Sequence, residues 1–325
     1  MEKVRFIDLF CGIGGFRVAM DEFCRENDLD PECVFSSDID PFCRDSYENN
    51  FGHRPAGDIT KVSPSDIPGH DILFAGFPCQ PFSIIGQMKG FEDTRGTLFF
   101  HIANILKHKK PKAFILENVK QLAGHDGGKT LKVILKTLTD LGYRTVQHAV
   151  LNALDYGLPQ KRERIIIVGH LEPINFSYPA PARPFKPLSK ILERKIDAKH
   201  FASDYIKERR NNAHTSSYKP AIWHENKSGN ICSYPYSCAL RAGASYSYLL
   251  VNGERRLTPR EMFRLQGFPD HYQIITNDTQ ARKQAGNAVA VNVVKAVIAK
   301  LLPYVAVSLN MESVKEYGVT GIKSS

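Results

Sequence analysis

The chain has 325 residues, of which 42% are hydrophobic and 24% are charged, a composition typical of a globular protein with one large core or two unequal domains. Its seven cysteines are odd in number and show no CxxC spacing, which argues against a disulfide framework and a structural zinc site. The first residues lead straight into a strand-like segment, and we find no apolar run in the sequence long enough to span a bilayer, so we expect a cytoplasmic protein without a membrane partner. The formal net charge of +9 suits a polyanionic partner, although many basic proteins bind no nucleic acid.

The first half of the chain alternates apolar, strand-like runs with helical patterns. Strands are predicted at residues 4–10, 34–37, 71–75, 113–117, 144–150 and 165–169, and helices at 16–27, 41–50 and 130–141. Such alternation indicates βαβ units, and therefore an α/β fold with a doubly wound, mainly parallel sheet. Ligands of such sheets bind beyond the carboxyl ends of the strands, so we expect functional residues directly after strands.

The second half changes character after Glu172, where a proline-rich linker begins. Between residues 183 and 227 the chain carries 11 Lys or Arg against 5 Asp or Glu. We predict a larger domain at 1–185, a second, smaller domain at 186–256, a return to the first domain at 257–305 and a tail at 306–325. Thr258, Pro259 and Glu261 have the order of an N-cap, a first-turn proline and an acidic first turn, so a helix should begin there.

Two features of the first 60 residues are typical of a ligand site. A strand runs into the glycine-rich turn 10–16, with the spacing GxGG rather than the GxGxxG of a dinucleotide fold. Asp38 follows the second strand and can hydrogen-bond ribose hydroxyls, and Asp58 can accept from an adenine amino group. Taken alone, a tight turn and solvated loop carboxylates explain these residues equally well.

Cys79 stands in the sequence Pro78-Cys79-Gln80-Pro81 directly after a predicted buried strand. A cysteine between prolines in a rigid, exposed turn suits a nucleophile better than a core position, and its thiolate requires electropositive surroundings. Glu117 follows the next strand and should face the same rim. Arg162 and Arg164, in the sequence QKRER, can hold a thiolate charge, a pyrimidine carbonyl or a phosphate, although a charge cluster is usually a solvated face.

The order of these segments carries a resemblance. DLFCGIGGF, GDIT, GFPCQPFS, ENV, QKRER, RLTPRE and GNAVAVN together resemble the DNA (cytosine-5) methyltransferase family, in its small bacterial restriction-modification form, over roughly residues 4–170 and 256–302. The resemblance implies an S-adenosylmethionine-dependent methyltransferase fold with a target recognition domain at 186–256. It also implies methyl transfer to C5 of a cytosine flipped out of a specific duplex sequence, with S-adenosylhomocysteine as product.

The resemblance also implies roles for individual residues. Cys79 would add to C6 of the cytosine, Glu117 would bind N3 and the exocyclic amine with a raised pKa, Arg164 would hold the base carbonyl, and Arg162 would support the loop or a phosphate. The cofactor pocket would be formed by Phe10, Gly12, Gly14, Asp38, Ile39, Asp58, Ile59, Pro78, Leu98 and Asn287. Ile39 departs from the family, which often has an aromatic residue there, so the adenine contact should be apolar rather than stacked.

The expected partner is double-stranded DNA. Residues in positions that imply DNA contact are Gln80, Ser83, Arg241, Ser245, Tyr246 and Tyr248, and the other basic residues of 186–256 should bind phosphates. We expect a monomer, associated with the nucleoid, that needs no metal and has a possible cognate restriction endonuclease. The alternatives are a tRNA cytosine-5 methyltransferase, a nicotinamide-dependent oxidoreductase and a catalytically inactive DNA-binding relative; the intact Cys79, Glu117 and Arg164 argue against the last.

Overall fold

The fold is built on a six-stranded sheet with the order β2-β1-β3-β4-β7-β5. The computed structural model describes residues 3–78, 98–181, 184–245 and 247–307. Its strands are β1 Lys3–Leu9, β2 Asp30–Ser37, β3 Ile72–Gly76, β4 Ala113–Val119, β5 Thr145–Asn152, β6 Gln160–Lys161, β7 Glu163–His170, β8 Ile222–Glu225, β9 Ile231–Tyr234, β10 Ser237–Cys238 and β11 Leu249–Val251. Its α-helices are α1 Gly15–Glu26, α2 Pro41–Phe51, α3 Leu98–Lys109, α4 Lys129–Asp140, α5 Asp204–Ala213, α6 Pro259–Leu265, α7 Asp278–Asn287 and α8 Val291–Val307.

Each face of the main sheet packs in a hydrophobic core. Successive side chains of a strand point to opposite faces of the sheet, so neighbouring residues belong to different cores. Phe6 belongs to one hydrophobic core, shared with α1 and α8, whereas its neighbour Ile7 belongs to a second core, shared with α3 and α4. The predicted α/β class and the doubly wound, mainly parallel sheet are therefore confirmed.

The direction of β7 was not predicted. β1, β2, β3 and β4 pair in parallel, but β7 runs antiparallel to both of its neighbours, β4 and β5. Val119, the last residue of β4, therefore lies opposite Arg164, near the start of β7. The start of β7 therefore lies at the same edge of the sheet as the segments that follow β1, β2, β3 and β4.

Most predicted elements are present with shifted ends. β2 begins four residues earlier than predicted, at Asp30, because it is the outer strand of the sheet and its first residues are only partly buried. α6 begins as predicted: Thr258 is its N-cap, and Thr258 and Glu261 form a reciprocal capping box.

Residues 186–256 contain α5 and a small antiparallel sheet with the order β11-β8-β9. β10 of this region forms a separate two-stranded sheet with β6, in which Ser237 lies opposite Gln160 and Cys238 opposite Lys161. The short β6–β10 pair therefore connects the basic region with the segment that carries Arg162 and Arg164.

One apolar stretch corrects a prediction. Within the described residues, Asp278–Ala306 is long and apolar enough to cross a membrane, which we did not expect from the sequence. Most of it is buried in the protein, and α8 is tied to α1 by Lys295, which pairs with Glu22 and Glu26. It is therefore explained as the core helix of this fold.

Candidate active site

The carboxyl ends of β1, β2, β3 and β4 and the start of β7 form one rim of the sheet. In register across the sheet, Leu9 lies opposite Ala75, and Gly76 lies opposite Glu117. Because parallel strands end together, the segments after each strand are brought into one cleft. The glycine-rich turn, Asp38, Glu117 and Arg164 therefore lie at this rim, together with the chain up to Pro78 that leads to Cys79.

The glycine-rich turn folds tightly against the end of β2. The Cys11 N–H donates to the carbonyl of Ser37 (3.0 Å), and the Gly12 N–H donates to Oδ2 of Asp38 (2.8 Å). Gly12 has a φ of +54°, and no atom lies within 4 Å of where its Cβ would be, so it borders open space. Gly14 differs, because its Cβ would lie 2.4 Å from the ring of Phe51. Gly12 thus suits close approach of a ligand, whereas Gly14 allows the turn to pack on α2.

Asp38 is the acid that the turn surrounds. Its Oδ1 accepts from the Asp40 N–H at 2.8 Å, so both oxygens take main-chain bonds. Burial raises the pKa of Asp38, and the hydrogen bonds from Asp40 and Gly12 oppose that rise. Beside it, Ile39 is 71% exposed and Phe42 is 44% exposed. An acceptor next to exposed apolar side chains matches the chemistry of a nucleoside, with its hydroxyls and its flat base.

The other residues that were predicted to bind the cofactor differ in how exposed they are. Asp58 caps the short helix Ile59–Lys61 and accepts from both the N–H and the hydroxyl of Thr60. The Ile59 side chain is 4% exposed and packs in the second core, so a contact between Ile59 and the cofactor, which stays a prediction, would involve mainly its main chain. Phe10 and Leu98 are partly buried, and Pro78 and Asn287 are exposed at the ends of β3 and α7.

Glu117 is the most unusual acid of the rim. It is 9% exposed, and its Oε1 lies 3.1 Å from Nε of Arg164. Burial raises the pKa of Glu117, while the charges of Arg164 and Arg162 lower it. Desolvation is the largest of these causes, so the carboxyl holds its proton more firmly than an exposed glutamate does. A buried carboxyl beside a fixed guanidinium can donate a hydrogen bond to a base nitrogen and accept one from an amine.

The chain enters the Cys79 segment next to Glu117. The Asn118 side-chain amide donates to the carbonyl of Phe77 (2.9 Å) in a buried hydrogen bond. Cys79 itself, with Gln80 and Ser83, lies outside the described residues. The described chain up to Pro78 is nonetheless held beside β4. This role of Asn118 was missed from the sequence, although Asn118 stands in the ENV motif.

Arg162 is buried, and its contacts favour one of the roles predicted from the sequence, the support of the loop. It is 2% exposed, and its guanidinium donates to three main-chain carbonyls, those of Leu240, Gly286 and Ala288, at 2.7 to 3.3 Å. These carbonyls belong to the basic region and to the end of α7. Arg162 therefore joins separate segments of the chain, which favours the loop-supporting role.

The predicted DNA-contacting residues also separate into two kinds. Arg241 and Ser245 are exposed, whereas Tyr248 is 7% exposed, so Tyr248 is too deeply buried to read a base edge. Its ring instead lies under Arg241, 4.8 Å from the guanidinium carbon. Tyr246 lies outside the described residues. Among the described residues, no group of three or more His, Cys, Asp or Glu side chains is placed to hold a metal ion.

Comparisons with known proteins agree with this geometry. Residues 4–302 match the family model described as C-5 cytosine-specific DNA methylase. The Type II methyltransferase M.NgoBI of Neisseria gonorrhoeae is 56% identical over 89% of this chain and 90% of its own length, and M.HaeII of Haemophilus aegyptius is 54% identical over 98% and 97%. The solved Dnmt2 methyltransferase of S. pombe has a TM-score of 0.70 at 18% identity, over 95% of this chain and 100% of its own, and therefore shares the fold.

Proposed function

Because this chain belongs to the C-5 cytosine-specific DNA methylase family and is a DNA cytosine-5 methyltransferase, we propose that Cys79, Glu117 and Arg164 act on the cytosine. The observation that supports this assignment best is the buried Glu117–Arg164 pair, at the rim where the chain leads into Cys79. The two relatives named above are Type II methyltransferases, so we also propose a specific duplex sequence as substrate and a cognate endonuclease as partner.

Cys79 supplies the nucleophile in this proposal. C5 of cytosine is a weak nucleophile because the ring is aromatic. The Cys79 thiolate adds to C6, an S–C6 bond forms, and C5 becomes the carbon of an enamine that can attack a methyl group. After C5 has taken the methyl group and the donor has left as S-adenosylhomocysteine, a base removes the C5 proton, the S–C6 bond breaks and Cys79 leaves as the thiolate, which restores the aromatic ring. Stacked neighbours block approach to C6 in a duplex, so the cytosine must leave the stack.

Glu117 and Arg164 bind the other edge of the base. The raised pKa of Glu117, caused by burial, keeps a proton available for N3 as the thiolate adds and electron density moves to that nitrogen. The other carboxyl oxygen can accept from the exocyclic amine. Arg164, held at 3.1 Å from Glu117, can donate to the base carbonyl. The pair thus stabilises the charge that develops on the ring.

The rim also fits the methyl donor of the family, S-adenosylmethionine, which supplies an electrophilic methyl group on a sulfonium. In the proposed site Asp38 would accept from the ribose hydroxyls, since its Oδ1 and Oδ2 are already oriented by the Asp40 and Gly12 N–H groups. The exposed Ile39 side chain would offer an apolar contact to the adenine. Gly12 allows the donor to approach the main chain, because open space lies beside its α-carbon.

Labelled methyl transfer tests this function. Purified protein is incubated with S-adenosylmethionine carrying a labelled methyl group and with either duplex DNA or tRNA. We expect label in cytosine of the DNA and none in the tRNA. Label confined to tRNA would refute the DNA substrate.

The residue assignment is tested separately. Cys79→Ser should abolish transfer while S-adenosylhomocysteine binding, measured by calorimetry, is retained. Cys33→Ser is the matched control, because Cys33 lies in the outer strand β2, before the rim, and should remain active. Transfer by Cys79→Ser at the wild-type rate would remove Cys79 from the mechanism.

A further inference from the structure

A run of basic residues lies at the edge of the main sheet opposite the active-site rim. The segment KHKKPK, residues 107–112, connects the end of α3 to the start of β4. β4 runs from Ala113 at this edge to Val119 at the rim. A strand rises about 3.3 Å per residue, so the two edges lie roughly 20 Å apart. Residues 107–112 are therefore remote from the proposed cytosine site.

The neighbouring strands add to the positive charge of this edge. The Asp71 N–H donates to the carbonyl of Arg5 (2.7 Å), and the Arg5 N–H donates to Oδ2 of Asp71 (3.0 Å). Nζ of Lys112 lies 3.8 Å from Oδ1 of the same Asp71, and Nζ of Lys109 donates to the carbonyl of Ser65 (3.2 Å). The residues that we call the basic edge are Arg5, Lys107, Lys109, Lys110 and Lys112, and the acids beside them are Asp66 and Asp71.

Lys110 has a backbone conformation that is unfavourable for lysine. It follows α3 directly with a φ of +45°, and its N–H donates to the carbonyl of Leu106 (3.0 Å). Helices commonly end with glycine in this left-handed conformation, because a Cβ is strained there. The same protein has glycine directly after α2, where Gly52 has a φ of +76°. The charge of Lys110 is thus present at a conformational cost, and such strain is typical of functional positions.

Stabilisation of α3 explains only part of the basic edge. Lys107 and Lys109 lie in the last turn of α3, where cations interact favourably with the helix dipole. Lys110 and Lys112 lie beyond the helix. Lys107 and Lys110 are exposed, as is Arg5 in β1. The helix dipole therefore does not account for the charges outside α3.

The chain that carries these charges is fixed to the fold. The hydroxyl of Tyr143 donates to the carbonyl of Pro111 (3.0 Å) in a buried hydrogen bond. The Leu171 N–H donates to the carbonyl of Lys112 (2.9 Å), and the next residue, Ala113, begins β4. The positive charges therefore extend from an ordered segment whose position relative to the sheet is set.

The composition of the basic edge fits the phosphates of a nucleic acid better than a protein surface. Lysine carries a hydrated point charge on a flexible stem, which suits phosphate contacts that carry no sequence information. Protein interfaces are instead depleted in lysine and enriched in aromatic residues. In the described chain no large hydrophobic side chain of residues 3–5, 65–71 or 107–112 is exposed. DNA, the substrate of this protein, is a polyanion of the required kind.

We propose that the basic edge binds the phosphates of a second DNA segment while the target segment occupies the rim. Duplex DNA is stiff over such short distances, so the target segment does not bend around the sheet to reach this edge. The inference goes beyond the proposed function, because the second segment is not the one being methylated. A protein that holds two segments can pass from one to the other without dissociating, which favours methylation of sites spread along long DNA.

A covalently trapped complex separates the two surfaces. Bisulfite sequencing of a methylated plasmid first identifies the recognised sequence. A short duplex with 5-fluorocytosine at the methylated position then fills the rim, and the adduct is purified free of excess DNA. A longer, fluorescent duplex without the recognised sequence is titrated into the adduct, and its Kd is measured by anisotropy at several salt concentrations.

The variants compared in this titration are Lys110→Gly, Lys110→Arg and the double variant Lys107→Gln/Lys110→Gly. The control is Lys300→Gln, because Lys300 is an exposed lysine of α8, which packs on the other face of the sheet from α3. It removes the same charge from the protein without changing the basic edge.

We expect the loss of one phosphate contact to raise the Kd of the second duplex about 8-fold at ~0.1 M salt, because each contact changes log Kd by about 0.9 per tenfold change in salt. Lys110→Gly should show this loss and the double variant a larger one, with Lys110→Arg and Lys300→Gln close to the wild type. Lys110→Gly should also raise the thermal midpoint by about 1–2 °C, because glycine relieves the left-handed strain. A merely structural role of Lys110 would not move stability and DNA binding in opposite directions.

Several outcomes would overturn the inference. They are a wild-type adduct that binds no second duplex, equal Kd values for the wild type and the double variant, and equal losses in Lys110→Gly and Lys300→Gln. Binding of polyglutamate in place of duplex DNA would indicate an acidic protein partner and would overturn it as well.

Failure of the proposed function gives a different result. A protein that forms no adduct with the fluorinated duplex would contradict the mechanism proposed for Cys79. The basic edge is then tested on the free protein, where the salt dependence of its binding to the longer duplex should be less steep by about 0.9 in Lys110→Gly than in the wild type. An unchanged salt dependence would overturn the inference.

Discussion

Replacing Asp8 by asparagine should stabilise the protein, and the gain should increase with pH. Asp8 lies in β1 and is 0% exposed, and among the described residues neither carboxyl oxygen has a hydrogen-bond partner. Burial raises the pKa of Asp8 well above its usual range, the charge of Arg17 opposes that rise, and Asp38 and Asp21 add to it. The folded protein therefore keeps a proton on Asp8 at pH values where the unfolded chain has lost it.

The direction and the size of the change in the free energy of unfolding follow from the proton that Asp8 keeps in the folded state. An unfolded aspartate ionises near pH ~3.9, so above that pH folding takes up one proton at Asp8 until the pH reaches the raised pKa of the folded state. In that window each pH unit removes about 1.4 kcal/mol from the free energy of unfolding. Asparagine has nearly the same shape and does not titrate, so Asp8→Asn escapes this loss.

Urea unfolding at pH 5, 6 and 7 measures the effect. The stability difference between Asp8→Asn and wild type should widen as the pH rises, by at most about 1.4 kcal/mol per pH unit, until the pH reaches the raised pKa of Asp8. Asp28→Asn is the control, because Asp28 is exposed and its left-handed backbone, with a φ of +53°, is also tolerated by asparagine. A difference that stays constant across the three pH values would refute the reasoning.

Three further predictions concern the supports of the site. Arg162→Met should cost about 3–5 kcal/mol of stability, because three carbonyls lose a buried charged donor, with Arg162→Lys intermediate; a loss below about 1 kcal/mol in urea unfolding would contradict this. Asp38→Ala should weaken S-adenosylhomocysteine binding about 10- to 150-fold by calorimetry, and an unchanged Kd would exclude the ribose contact. Thr258→Ala should cost about 1 kcal/mol while Thr258→Ser costs little, and equal thermal midpoints for all three proteins would argue against the capping role.

The arrangement of the sheet was largely accessible from the sequence. Alternating apolar runs and helical patterns predicted buried parallel strands, and Phe6 and Ile7 do lie on opposite, buried faces. The antiparallel direction of β7 was missed because a strand pattern has no direction. The connection from Asn152 to Glu163 nevertheless contained the information, since it is too short for a parallel crossover that needs a dozen residues or more.

The functional site was predicted unevenly. The sequence placed Asp38 and Glu117 at the ends of predicted strands, and Arg164 just before one. Their common position at the rim follows mainly from where the strands begin and end. The family resemblance gave Arg162 and Arg164 different roles, but the burial of Arg162 was not predictable from the sequence, since it depends on contacts with Leu240 and Gly286, far away in the chain. The burial of Tyr248 was not predicted either, because it follows from packing within the basic region.

The most direct test of the central claim is covalent trapping at Cys79. A duplex containing 5-fluorocytosine at the methylated position is incubated with the protein and S-adenosylmethionine, and the product is analysed by denaturing electrophoresis and peptide mass spectrometry. Fluorine leaves no C5 proton to remove, so we predict a stable protein–DNA adduct on the peptide that contains Cys79, absent in Cys79→Ser. An active enzyme that forms no adduct, or an adduct on another residue, would contradict the proposed mechanism.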